Sequence, residues 1–110
     1  MIEVEAQISI KREGVAFLNP VKTALLKEIV QNGSLSAAAK KLNISYQHAW
    51  TMINEMNQTA PEPLVVKQRG GANGGGAEIS EYGKKIMKEY QLINETVGKM
   101  VRQINVEINL

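Results

Sequence analysis

Residues 42–58, LNISYQHAWTMINEMNQ, and residues 69–80, RGGANGGGAEIS, decide how this chain reads. In the first stretch Ala49, Trp50, Ile53 and Met56 recur at one-, three- and four-residue steps, with Tyr46 beside them, so they form the apolar stripe of a helix. Gln47, His48, Thr51, Asn54, Glu55 and Gln58 face the other way. The opening turn, Ser45-Tyr46-Gln47-His48, is crowded with side chains that can donate or accept hydrogen bonds. The second stretch holds too many glycines to build a core and then returns as AEIS, which describes a hairpin with a glycine tip.

Working upstream, Ser34 or Ser36 can cap a short helix over AAAKKL, about two turns of good helix formers. Before it, Asn19-Pro20 supplies a cap and a first-turn proline. Val21, Ala24, Leu25, Leu26, Ile29 and Val30 then recur at helical spacing, and Asn32-Gly33 stops the run. Residues 2–10, IEVEAQISI, alternate apolar and polar and predict a half-buried strand; KREG is turn-like, and VAFL can pair back as a second strand.

Downstream, Pro61 and Pro63 end the polar-tipped helix, LVVKQR reads as a strand, and AEIS as its returning partner. Ser80 caps a last helix with Glu81 at its positive end. Ile86, Tyr90, Ile93, Val97, Met100, Val101 and Ile104 carry that helix to about residue 104, longer than a domain of this size needs. Its apolar spacing points to a dimer seam. The tail INVEINL, residues 104–110, alternates again in the manner of a further strand. No internal repeat is present.

The chain has 110 residues, enough for one domain, 1–110, with a modest core and no cleft between lobes. With no cysteine and one histidine, it is expected to use no disulfide, metal, cofactor or histidine-based triad, and no catalysis is expected. The N-terminus lacks the basic start and apolar block of a signal peptide, and no run of eighteen apolar residues occurs, so a cytoplasmic protein without membrane contact is expected. A net charge of +2 permits a nucleic-acid partner without demanding one.

The order strand, helix, helix, helix, strand, strand, helix describes an α+β fold, mainly α: a winged helix-turn-helix. In that motif the third helix lies in the major groove of double-stranded DNA and offers its N-terminal side chains to base edges. Ser45, Tyr46, Gln47, His48 and Thr51 are then the candidate readers, with Gln47 able to grip an adenine edge through two hydrogen bonds. Ser34 and Ser36 can meet phosphate oxygens at the start of the second helix. The glycine hairpin is the wing, where Lys67 and Arg69 neutralise phosphate charge and Asn73, Gly74 and Gly75 let backbone amides approach closely.

With those residues in place, the sequence resembles the N-terminal DNA-binding domain of the molybdate-responsive ModE-type repressors, itself similar to the winged helix of LysR-type regulators. The resemblance rests on NPVKTALLKEI with the leading strand, GSLSAAAKKLNISYQHAWTMINEMNQ and RGGANGGGAEISEYGKKI, and covers roughly residues 2–92. It implies a homodimer formed through the first helix, the N-terminal strand and the long C-terminal helix, which would set two recognition helices about one DNA turn apart. Full-length members carry C-terminal oxyanion-binding domains, and the present sequence stops where those would begin. Molybdate sensing is therefore not implied, and a stand-alone DNA-binding dimer is expected.

Blander readings stand beside these. Trp50 and Met56 are expected in the core; Tyr46 can pack with its ring while its hydroxyl reaches phosphate; His48 is either an exposed turn residue or a DNA contact. Lys40-Lys41 and Lys84-Lys85 read as solvated helix faces. The glycine run lacks the Lys-Ser/Thr of a phosphate-binding P-loop. Winged helices also serve as protein-interaction modules or bind DNA without sequence preference, and these are the rivals to a sequence-specific regulator.

Overall fold

The computed structural model describes residues 2–67 and 76–109. The first reversal falls at Glu13-Gly14, where φ is 51° and 81°. Two consecutive positive values make the tight hairpin turn whose twist suits paired strands, and it joins β1 (Ile10–Arg12) to β2 (Val15–Leu18). Asn19 then caps α1 (Pro20–Asn32), its side-chain oxygen accepting from the Lys22 amide at 2.8 Å. Gly33, at φ 63°, ends that helix and donates its amide to the Ile29 carbonyl at 2.8 Å.

Of the two candidate capping serines, Ser34 takes the position, accepting from the Ala37 amide at 3.2 Å to open α2 (Leu35–Lys41); Ser36 lies exposed within the first turn. α3 (Tyr46–Thr59) follows. The core gathers Leu25, Leu26 and Ile29 of α1, Leu35 and Ala38 of α2, and Ala49, Ile53 and Met56 of α3. Trp50 departs from expectation: it is only partly buried against this cluster, and Met52, at 6% exposure, fills the core position instead. The stripe of α3 is thus centred one residue away from where its largest apolar side chain drew the eye.

β3 (Val65–Lys67) and β4 (Ala77–Ile79) pair antiparallel, Val65 opposite Ile79 and Lys67 opposite Ala77. The wing candidates Arg69, Asn73, Gly74 and Gly75 lie outside the described residues. The base of β4 is tied to the start of α2, where Gly76 bridges Ser34 and the Ala77 amide donates to the Gly33 carbonyl at 3.3 Å. α4 (Glu81–Glu107) begins at Ser80, whose hydroxyl oxygen accepts from the Gly83 amide at 2.9 Å while its own hydrogen goes to the Pro63 carbonyl at 2.7 Å. Among the described residues this is an α+β fold, mainly helical, with two small antiparallel sheets.

Two predicted strands are corrected. Residues 2–9 belong to no strand, and β1 keeps only residue 10 of the predicted span. The segment runs along α4 instead: the Asn105 side chain accepts from the Val4 amide at 2.7 Å and donates to the Val4 carbonyl at 3.0 Å, and the Tyr90 hydroxyl donates to the Ile8 carbonyl at 2.8 Å. One side-chain amide and one phenol thus bond three of the backbone groups that a neighbouring strand would have paired. The tail is helical to Glu107, because the three- and four-residue steps through Val97, Val101, Ile104 and Ile108 prevail over the two-residue alternation; Val106 stands 81% exposed.

On α4 the buried residues are Gly83 and Tyr90. Twenty-seven residues at about 1.5 Å each span roughly 40 Å. The radius of gyration, 16.2 Å, accordingly exceeds the about 13 Å typical of a compact chain of this length. The outer half of α4 projects from the domain.

Candidate nucleic-acid interface

The turn between α2 and α3 is built by Asn43, at φ 58°. Its amide donates to the Lys40 carbonyl at 3.1 Å and that of Ile44 to the Ala39 carbonyl at 3.0 Å, the paired closure of a Schellman motif. Asparagine tolerates the left-handed conformation, so the chain can stop α2 and restart within four residues. Ser45 caps α3, its Oγ accepting from the His48 amide at 3.0 Å, which leaves its hydroxyl hydrogen to donate outward.

Ser45, Tyr46, Gln47, His48 and Thr51 are all exposed, so the structure brings the five predicted readers together on the first two turns of α3. Gln47, Thr51, Asn54 and Gln58 continue that face at three- and four-residue steps. Thr51 donates its hydroxyl hydrogen to the Gln47 carbonyl at 3.0 Å, so what it offers a partner is a methyl group and an oxygen acceptor. The unpaired amides at the start of α3 add partial positive charge where a phosphate or a base acceptor would sit. Ser34 is half-buried in its capping role and Ser36 exposed, both at the head of α2.

The farther half of this face carries Glu55, which would repel a phosphate if left alone. Its Oε2 lies 3.0 Å from Nζ of Lys22, whose ammonium is buried and also donates to the Ala16 carbonyl at 3.2 Å. Lys22 therefore ties β2, α1 and α3 together while offsetting an acid on the presented surface.

The wing is fixed to α3 in two places. Asn57 accepts from the Leu64 amide at 2.8 Å and the Val65 amide at 3.3 Å and donates to the Val65 carbonyl at 3.0 Å, so one amide side chain holds the first residues of β3. Farther along, Lys67 sets its Nζ 4.4 Å from the centroid of the Trp50 ring, and the Tyr46 ring meets Trp50 edge-on at 6.3 Å. Sequence reasoning missed Asn57, Lys22 and this use of Trp50. The only advance signal was the aromatic pair at positions 46 and 50, one helical turn apart.

Among the described residues no group of three or more His, Cys, Asp or Glu side chains could hold a metal ion, and no helix is long and apolar enough to cross a membrane. A capped, polar-faced α3, a tight turn from α2 and a hairpin clamped beside it define a winged helix-turn-helix of the DNA-binding class. The chain belongs to the LysR family of bacterial regulatory helix-turn-helix proteins, whose family model matches residues 22–84. It is a regulator's domain and not an enzyme.

The chain is similar to the transcriptional regulator ModE of Haemophilus influenzae, 38% identical over 96 residues, covering 87% of this chain and 38% of that protein. It is also similar to the DNA-binding transcriptional dual regulator ModE of Escherichia coli K12, 39% identical over 98 residues, covering 89% and 37% respectively. It thus spans about two-fifths of the length of these relatives. Among solved structures it resembles the DNA-binding domain in the CbnR_DBD–DNA complex, with a TM-score of 0.60 at 17% identity over 76% of this chain and 90% of that one. At that identity the likeness speaks for the fold alone.

Proposed function

We propose that this domain binds double-stranded DNA as a homodimer and recognises sequence with the exposed face of α3. The observation that carries this reading is the presentation of Gln47, His48 and Thr51 at a capped helix N-terminus beside the clamped wing. Gln47 is the candidate for a two-bond contact to adenine, and the Thr51 methyl suits a thymine methyl. The hydroxyls of Ser34, Ser36, Ser45 and Tyr46 and the Lys67 ammonium take phosphates, with Arg69, Asn73, Gly74 and Gly75 of the wing tip extending that role. Phosphate contacts set affinity and position; α3 sets sequence.

A second copy is the partner that the outer half of α4 calls for. Ile93, Met100 and Ile104 stand 39%, 62% and 42% exposed along that helix, separated by three- and four-residue steps through Val97. Val21 and Val30 on α1, together with the N-terminal segment laid along α4, extend the apolar surface. A protein that reads a bacterial chromosome works in the cytoplasm. Relatives named for molybdenum transport and for molybdenum-pterin binding make genes that handle this metal the first operators to inspect.

The test is selection of bound fragments from sheared genomic DNA at two salt concentrations. A pseudo-palindromic motif that survives the higher salt is the expected result, since specific binding typically exceeds non-specific binding by roughly 10³-fold or more. Enrichment of nothing, or binding that salt abolishes on every sequence, would turn the assignment toward a protein-interaction module or an architectural DNA-binding protein.

A further inference from the structure

The single tryptophan of the chain sits half-buried at the junction of α3 and β3, with one face turned to an ammonium group. The ring lies against the core without entering it, because Met52 and Ile53 fill the positions beneath that turn. Two groups meet at the ring: the Tyr46 ring in a T-shaped contact at 6.3 Å and the Lys67 Nζ at 4.4 Å. A lysine on a wing strand ordinarily sweeps a wide volume on its four-carbon stem. Here an aromatic face from the reading helix holds its head in one place.

We infer that Trp50 is a positioning residue for the wing: its ring holds the Lys67 ammonium against α3, so that the cation meets the stretch of phosphate backbone that flanks the bases read by that helix. This rests on the DNA-binding reading above. Two consequences separate it from a plain packing role. Lys67 reaches phosphate with its head already ordered, which lowers the entropic cost of the contact. The benefit of the Trp50 ring to DNA affinity then exists only while Lys67 is present.

The first experiment needs no DNA. Emission from Trp50 is quenched in the full chain with iodide and, in parallel, with neutral acrylamide, for wild type and for Lys67→Gln. A cation over the ring draws iodide in, so Lys67→Gln should lower iodide quenching while leaving acrylamide quenching nearly unchanged. An unchanged iodide-to-acrylamide ratio would show that the ammonium does not sit on the ring and would overturn the inference.

The second measures affinity for the selected operator in wild type, Trp50→Phe, Lys67→Gln and the double variant. Trp50→Phe keeps an aromatic body but weakens the cation contact, and should lower affinity about two- to fivefold. In the Lys67→Gln background the same substitution should change little. Equal losses in both backgrounds, or no loss in either, would reduce Trp50 to packing. Wild-type protein that selects no operator would sink the DNA-binding proposal and this inference with it, whereas a wild type that binds without the coupling sinks the inference alone.

Discussion

Substituting alanine at Gly83 and at Gly98, two glycines of the same helix, should shift stability in opposite directions. On intrinsic propensity both changes should help, because glycine inside a helix is about 1 kcal/mol worse than alanine. At Gly83 the structure opposes this. A β-carbon there would lie 2.8 Å from Cγ2 of Ile79 and 3.2 Å from the carbonyl carbon of Leu64, and nearer still to the Leu64 oxygen. That oxygen belongs to the backbone and already accepts from the Ser80 amide at 2.9 Å, so it cannot swing aside as a side chain would. Forcing α4 away from Leu64 and β4 should cost roughly 1–3 kcal/mol in overpacking and about 1 kcal/mol for the strained hydrogen bond. Net of the propensity gain, Gly83→Ala should destabilise by about 1–3 kcal/mol. At Gly98 the nearest atom to a new β-carbon is Nη1 of Arg102 at 3.4 Å, an ordinary contact with a mobile group. Gly98→Ala should therefore stabilise by about 0.5–1 kcal/mol. Urea unfolding at two protein concentrations reads both changes and separates folding from association. A Gly83→Ala midpoint at or above that of wild type would refute the claim that glycine is there for close approach.

Other substitutions address the surface and its supports. Gln47→Ala should cost about 1–3 kcal/mol on the selected operator and relax preference at one base pair while non-specific affinity stays nearly constant, as competition binding on single-base operator variants would show. Removing the exposed member of the Lys22–Glu55 pair should hurt more than removing the buried one: Glu55→Ala leaves a buried ammonium with only the Ala16 carbonyl, whereas Lys22→Met leaves a carboxylate that water can reach. Thermal unfolding of the two variants gives the order directly. Ile104→Asp, far from α3, should weaken the proposed dimer and with it binding to the full palindrome, while a half-site is still bound at high protein concentration; sedimentation of the free protein against concentration would follow the shift, and self-association as tight as that of wild type would remove α4 from the proposed seam.

What could be read in advance was local. Asn19, Ser34, Ser45 and Ser80 each cap a helix through an amide three residues away, so the signal for each helix start lies within one turn of chain. The exposure of Gln47, His48 and Thr51 followed from helical period in the same way. The failures share the opposite property. Residues 2–9 alternate well, but alternation reports one apolar face and says nothing about whether a strand lies alongside; their partners are Tyr90 and Asn105, more than eighty residues away. In residues 104–110 two periods compete over so few positions that the continuing helix decided between them. For Trp50, hydrophobicity alone does not distinguish the centre of a core from its edge.

Asn57 shows why the angle between the reading helix and the wing was not legible even though both elements were. Its three hydrogen bonds go to Leu64 and Val65, across a turn that contains two prolines, and a polar side chain on a helix carries no mark of such a destination. Yet those residues are where the elements converge. Leu64 donates its amide to Asn57 of α3 and accepts at its carbonyl from Ser80 at the head of α4, and Gly83 closes the gap on the other side. Reader, wing base and projecting helix are therefore joined through one backbone unit. If α4 forms the dimer seam, its packing sets the distance and tilt of the two reading helices through this joint with little slack. Half-site spacing then depends on a glycine and an asparagine that would never touch the DNA.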